Sequence, residues 1–397
     1  MSAPESVLVV GASAAGLATA ESLRRKGFQG TLTVLGAERH LPYDRPPLSK
    51  QVLSGAWPPE RIQLRGRDEL DALDAEFVLG DPAVSLDAAT RTVSAASGWT
   101  RRTDVVVLAT GIRPRPFPGA EGLRGVHVLR TLEDAVALRG ELAAAARVVV
   151  VGDGVLGSEI AATARGLGVA VTLVGRQATP MASQLGPRAA GLLGRTHSEH
   201  GVRLLIGASV ERVTSRRGRV CGVRLGTGEV LAADVVVVAI GSVPVTDWLE
   251  DSGLVLDNGV VCDSRCRATA EGIYAVGDVA RWHHEGIGAM LRLENRTNAT
   301  EQAGAVAGNI LGEDRPYTPV PYFWTDQFNA KIQVHGTLAA DADVEIVEGS
   351  ESDRRFVALY RNGGRPTGVL GWNMPKQTRL HRQALVDAAD HSLTLPR

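Results

Sequence analysis

Val9-Val10-Gly11-Ala12-Ser13-Ala14-Ala15-Gly16 and Val150-Val151-Gly152-Asp153-Gly154-Val155-Leu156-Gly157 decide the fold. Each closes a short apolar run and opens an alanine-rich stretch that reads as a helix. A second apolar strand follows each helix, at residues 31–35 and 170–174. This is the strand–glycine turn–helix–strand unit of a dinucleotide fold, present twice. A further repeat closes each unit: Asp104-Val105-Val106-Val107-Leu108-Ala109-Thr110-Gly111 is matched by Asp234-Val235-Val236-Val237-Val238-Ala239-Ile240-Gly241. Continuous valine runs suit strands buried on both faces of a parallel sheet. One glycine fingerprint alone fits any tight strand–helix turn; two, each with its own closing strand, point to a duplicated nucleotide fold.

Working outward, the chain divides into three parts. Residues 1–113 and 243–316 read as one discontinuous nucleotide domain, and 114–242 as a second. The tail, 317–397, changes character: it holds 8 of the 17 aromatics. It reads as a C-terminal α+β domain whose last helix lies near residues 376–390. The expected class is therefore α/β, two Rossmann-type dinucleotide-binding domains plus a C-terminal α+β domain.

Composition excludes several functions. The 397 residues carry 43 basic and 44 acidic side chains, so no net basic charge supports nucleic-acid binding. Apolar runs fall far short of the ~20 residues of a membrane span. The first strand starts near Ser6, which leaves no room for a signal peptide. Three cysteines, Cys221, Cys262 and Cys266, are too few for a disulfide framework, and a reducing cytoplasm is expected. Cys262 and Cys266 read as core or surface residues rather than a redox pair. His197 and His200 lack metal-ligand spacing and read as surface residues, and His283-His284 as a loop pair; no metal site is expected.

The glycine turns supply the candidate sites. Gly11 permits the tight turn, Gly16 the close helix packing, and Ser13 is small enough for backbone to approach a pyrophosphate. The amides of Ala14 and Ala15, and of Val155 and Leu156 in the second turn, would face phosphates at a helix start. Glu38, 22 residues after Gly16, is placed to bind ribose hydroxyls. The second turn has all three glycines, Gly152, Gly154 and Gly157. Its strand ends in Gly175-Arg176, without the ribose-binding acid. That spelling tolerates NADH and NADPH and tilts toward the 2′-phosphate; Arg176 reads equally well as a solvated arginine.

The run Pro42-Tyr43-Asp44-Arg45-Pro46-Pro47-Leu48-Ser49-Lys50 resembles the signature of the FAD-dependent NAD(P)H:ferredoxin reductases that serve oxygenases, the putidaredoxin-reductase-like family. The resemblance extends over both glycine turns, Ala109-Thr110-Gly111, Gly277-Asp278, Arg292-Leu293-Glu294 with Thr297-Asn298-Ala299, and Tyr322-Phe323-Trp324-Thr325-Asp326-Gln327. It implies a glutathione-reductase-like fold, with FAD on the first unit and NADH or NADPH on the second, where Gly241 closes the site. It further implies Arg45 near the FAD phosphates and Asp278 on a ribityl hydroxyl. Lys50 would stand by the reactive edge of the flavin, paired with Glu159. A cation there stabilises the negative charge of a reduced ring, and the cofactors themselves carry the hydride chemistry.

Two departures matter. Residues 1–220 contain no cysteine, so electrons would leave the flavin without a dithiol, and a one-electron iron–sulfur protein is the natural acceptor. Between Glu294 and Thr297, where the pattern often has a Trp, stand Asn295 and Arg296. Arg296 reads as a guanidinium stacked on the flavin opposite Trp324, or as a solvated residue. Arg292, Arg296, Lys376, Arg379 and Arg382 are candidates for a basic rim facing an acidic ferredoxin. The implied partner is a ferredoxin and, through it, a haem-thiolate or Rieske oxygenase. The chain would be a monomer or weak dimer with no membrane partner. A rubredoxin reductase, or an apoptosis-inducing-factor-like flavoprotein acting by binding and slow redox switching, are the alternatives.

Overall fold

The computed structural model describes residues 4–387. The chain forms two compact units, residues 1–44, 62–113 and 243–319 in one, and 45–61, 114–242 and 320–397 in the other.

The first unit is built on a five-stranded sheet in the order Ile273–Ala275, Val105–Leu108, Ser6–Val10, Thr31–Gly36, Glu76–Leu79, all parallel. The valine runs sit in its middle: Val9, Val106 and Val107 are fully buried. Helices Ala14–Arg25 and Arg296–Ile310 pack on one another in the same core. Asp104 fixes the start of the first strand, its Oδ2 accepting from the Glu5 and Ser6 amides at 2.9 and 3.0 Å.

The second unit repeats the plan. Its parallel sheet runs Arg203–Leu205, Ala170–Val174, Arg147–Val151, Val235–Val238, Val126–His127. Asp234 does what Asp104 does, accepting from the Arg147 and Ala146 amides at 2.8 and 3.2 Å. The repeated Asp-Val-Val-Val is thus a register device: the acid holds the neighbouring strand's first amides while the valines fill the core. The C-terminal segment of this unit is a five-stranded antiparallel sheet in the order Tyr322–Gln327, Ala330–Gly336, Arg365–Trp372, Arg355–Asn362, Asp343–Ser350. Helix Ala182–Glu199 packs its apolar face on that sheet, and the Tyr360 hydroxyl donates to the Leu185 carbonyl at 3.1 Å.

Two local expectations differ in the structure. His197 is fully buried rather than on the surface, its Nε2 donating to Gln327 Oε1 at 2.7 Å, and burial lowers its pKa. It continues the stripe of Ala190 and Leu193 on the buried side of its helix, a periodicity legible in the sequence. His283 and His284 lie in strand Ala280–His284, not a loop. The last helix, expected near residues 376–390, is Pro375–His381, and a further helical stretch follows at 383–387; residues 388–390 lie outside the described residues.

Candidate functional site

Both glycine turns are closed by backbone, not by side chains. A Cβ on Gly16 would stand 1.7 Å from the Gly11 carbonyl oxygen, and one on Gly157 1.9 Å from that of Gly152. Gly11 and Gly152, at φ +122° and +114°, press equally on the carbonyls of Ala109 and Ala239. By contrast, a Cβ on Gly154 or Gly241 would meet nothing within 4 Å. Open backbone beside a helix start is what a pyrophosphate needs. Neither glycine helix, Ala14–Arg25 or Val155–Gly166, carries an acid in its first turn, so neither dipole is neutralised there.

In the first unit the fold gathers the sequence candidates at this turn. Gly277 sits so close that its Cβ would stand 2.9 Å from that of Ala15, which brings Asp278 beside the helix start. The Gly277 amide donates to Gln302 Oε1 at 2.8 Å, fixing the Gly-Asp corner. Thr110 Oγ1 donates to the Val245 carbonyl at 2.9 Å, and the Gly111 carbonyl accepts from the Val245 amide at 3.0 Å. Glu38 accepts from the Tyr43 hydroxyl. Arg296 Nε donates to Asp44 Oδ1 at 2.7 Å, and its guanidinium also reaches Thr300. Arg292 is held by Glu294 at 2.6 Å and by the Asp278 carbonyl at 3.1 Å, with only 13% of its side chain exposed, so it braces the corner more than it lines a basic rim.

The second unit holds a group of candidates of its own. The signature run is divided: residues 42–44 belong to the first unit and 45–50 to this one. Leu48–Val52 forms a wide helical turn packed against helix Val155–Gly166. Thr163 Oγ1 donates to the Ser49 carbonyl at 2.7 Å and pins the turn to the helix. This places Lys50 Nζ 2.8 Å from Glu159 Oε2. The side chains are only 13% and 7% exposed. The same oxygen accepts from Ser49 Oγ at 2.5 Å, and Oε1 accepts from Thr325 Oγ1 at 2.8 Å. Gln327 Nε2 donates to Thr325 Oγ1 at 2.9 Å and links the network to His197. A buried carboxylate with a cation and two hydroxyls is well compensated.

Ser49, Thr325 and Gln327 received no role from the sequence. Strand alternation signals the last two: Thr325 and Gln327 share the inward face of their strand, while Trp324 lies on the other face, its ring 5.9 Å from that of Tyr322. Arg45 donates to the Arg130 carbonyl at 2.6 Å. Val155 is half-buried and Leu156 is exposed at the helix start, and Arg176 is exposed. Asp153 was also missed; its carboxylate lies against Gly175. Among the described residues no group of three or more His, Cys, Asp and Glu side chains is arranged to hold a metal. No helix among them is long and apolar enough to cross a membrane.

The Pyridine nucleotide-disulphide oxidoreductase model matches residues 5–303, and the Reductase C-terminal model residues 322–394. The chain belongs to the pyridine nucleotide-disulphide oxidoreductase family. It is 37% identical to rhodocoxin reductase of Rhodococcus erythropolis, over 96% of this chain and 89% of that protein. It is 33% identical to putidaredoxin reductase CamA of Pseudomonas putida, over 98% and 93% of the two chains. Its fold matches the ferredoxin reductase of the CYP199A2 system from Rhodopseudomonas palustris with a TM-score of 0.93, 33% identity and coverage of 96% and 95%. The covalent putidaredoxin reductase–putidaredoxin complex matches at 0.92, with 32% identity and coverage of 97% and 93%.

Membership makes this chain an oxidoreductase that uses FAD and NAD(P)H. The two open glycine turns fit two dinucleotides. The disulphide chemistry in the family name has no counterpart in the first 220 residues, which lack cysteine. Cys221 is exposed; Cys262 and Cys266 are buried free thiols of the first unit. Burial pushes the Cys262 thiol well above its usual range and that of Cys266 up to about 12, which keeps both protonated and inert.

Proposed function

We propose that this chain is an FAD-containing NAD(P)H:ferredoxin reductase, passing electrons one at a time to an iron–sulfur ferredoxin that serves a haem-thiolate or Rieske oxygenase. The observation that carries the reading is the cysteine pattern beside two dinucleotide turns: no thiol is available to take an electron pair from the flavin. When bound, FAD accepts a hydride and releases two single electrons.

The chain's own residues have three tasks in this scheme. Gly11, Ser13 and Gly16, with Ala14 and Ala15, cradle the FAD pyrophosphate; Glu38 binds its ribose, and Ala109, Thr110, Gly111, Arg45 and Asp278 hold the rest. Gly152, Gly154 and Gly157, with Val155, Leu156, Gly175, Arg176 and Gly241, take the nicotinamide dinucleotide. Lys50, aimed by Glu159, with Ser49 and Thr325 on the same carboxylate, would stabilise negative charge on the flavin; Trp324 and Arg296 are the residues assigned to its ring. On this reading residues 1–113 and 243–316 form the FAD domain, 114–242 the nicotinamide domain and 317–397 the C-terminal domain. The three free cysteines suit a reducing cytoplasm.

Cytochrome c reduction, with each nicotinamide and with and without ferredoxins, tests the activity. Ferredoxin-dependent turnover is expected; slow reduction by nicotinamide with no ferredoxin-dependent turnover would reject it. A rubredoxin–NAD(+) reductase of Pseudomonas putida, 35% identical over 94% of this chain, makes rubredoxin the second acceptor to include. For Lys50→Met, stopped flow should show flavin reduction slowed by about 100-fold. An unchanged rate would remove Lys50 from the mechanism.

A further inference from the structure

The strand that follows the second glycine helix ends without an acid, yet the space at its end holds a carboxylate. A Cβ built on Gly175 would stand 2.0 Å from Asp153 Cγ and 2.1 Å from Asp153 Oδ2. Asp153 lies between Gly152 and Gly154, inside the turn itself. It is 6% exposed. Its aim is fixed from three sides: Oδ2 accepts from the Gln177 amide at 3.0 Å, Oδ1 from Gln177 Nε2 at 3.2 Å, and its carbonyl from the Met181 amide at 2.8 Å. Each carboxylate oxygen has two acceptor sites, so both keep capacity for a further donor. The expected acid past the strand end is absent, and the carboxylate of the turn fills the space beside Gly175.

We propose that Asp153 is the specificity-determining residue of the nicotinamide site, its carboxylate excluding a 2′-phosphate and selecting NADH over NADPH. This rests on the reading that the second glycine turn binds the nicotinamide dinucleotide. It reverses what Gly175-Arg176 suggests when read alone. A 2′-phosphate brings between one and two further negative charges near neutral pH, against a carboxylate largely withdrawn from water. Arg176 is the opposing cation, but it is exposed, where solvent and salt weaken its pull. The ribose hydroxyls of NADH are donors and meet spare acceptor capacity instead of repulsion.

Calorimetric titration of the FAD-loaded protein with ADP-ribose and with its 2′-phosphate tests this, since neither ligand carries a nicotinamide and no turnover intervenes. The native protein is expected to bind ADP-ribose tighter by about thirtyfold. Asp153→Asn, which keeps the shape and removes the charge, should shrink the ratio to about threefold or less. Equal binding by the native protein, or an unchanged ratio in Asp153→Asn, overturns the proposal while leaving the nucleotide site intact. Binding of neither ligand overturns the nucleotide assignment of the turn, and the proposal with it. A second measurement checks the placement independently. Gly175→Ala should lower the melting temperature when Asp153 is present and be tolerated beside Asp153→Gly; equal effects in both backgrounds would show that the two residues do not share the space.

Discussion

The two glycine turns are the same object made twice, and they differ where the second strand ends. In the first unit Gly36 faces the methyl of Ala12, 2.6 Å from a Cβ built there, and Glu38 follows two residues later. In the second, Gly175 faces the carboxylate of Asp153, and Gln177 stands where Glu38 would. The parallel strand, the crowded third glycine and the acid that clamps the first strand are shared. The residues that would meet a ribose are not. Parts that hold the backbone in place repeat because the geometry allows few solutions; the strand-end positions carry no such constraint and differ.

The largest effect should break the shared part. Gly16→Ala and Gly157→Ala each drive a methyl into a carbonyl oxygen, and should cost about 3 kcal/mol or more in urea unfolding. Gly154→Ala, with open space around it, should cost about 1 kcal/mol or less, yet weaken ADP-ribose binding. If Gly154→Ala proved as destabilising as Gly157→Ala, the distinction between packing glycines and ligand-facing glycines would fall.

A smaller effect tests the clamps. Asp104→Ala and Asp234→Ala each remove acceptors for two backbone amides and should cost about 1 kcal/mol. Similar values would support one shared device; an effect at one site alone would mean that the repeated Asp-Val-Val-Val has diverged in use.

The smallest is a pH effect belonging to the second unit. Burial, reinforced by Arg382 and Arg379, lowers the His335 pKa to about 4. Its ring stacks on Tyr322, with centroids 4.6 Å apart. The unfolded chain binds a proton near the ordinary 6.5 and the folded one only near 4. His335 therefore lends stability that is present above pH 6.5 and lost as pH falls toward 4. His335→Phe should flatten that part of the stability curve; an unaltered slope between pH 6.5 and 4 would remove His335 as its source.

Much of the fold was legible because repetition carries it. The valine runs, the glycine spacings and the two Asp-Val-Val-Val strands specify two parallel sheets before any coordinate is seen. The C-terminal sheet was legible mainly as a change in aromatic content. Lack of metal-ligand spacing says nothing about exposure: His197 shares the buried helix face of Ala190 and Leu193.

The sequence by itself determined the architecture, the pairing of two dinucleotide turns and the lack of a thiol to take electrons in pairs. These follow from local spacing and residue type. Only the tertiary structure decided what surrounds Glu159 and what fills the space at Gly175. Lys50 and Glu159 are 109 residues apart, and Glu159 and Thr325 are 166 apart. Asp153 lies in the turn after strand Arg147–Val151, and Gly175 just past the end of strand Ala170–Val174. Whether such groups meet depends on how strands and helices pack, and a carboxylate acts on whatever lies within a few ångströms, not on its neighbours in the chain.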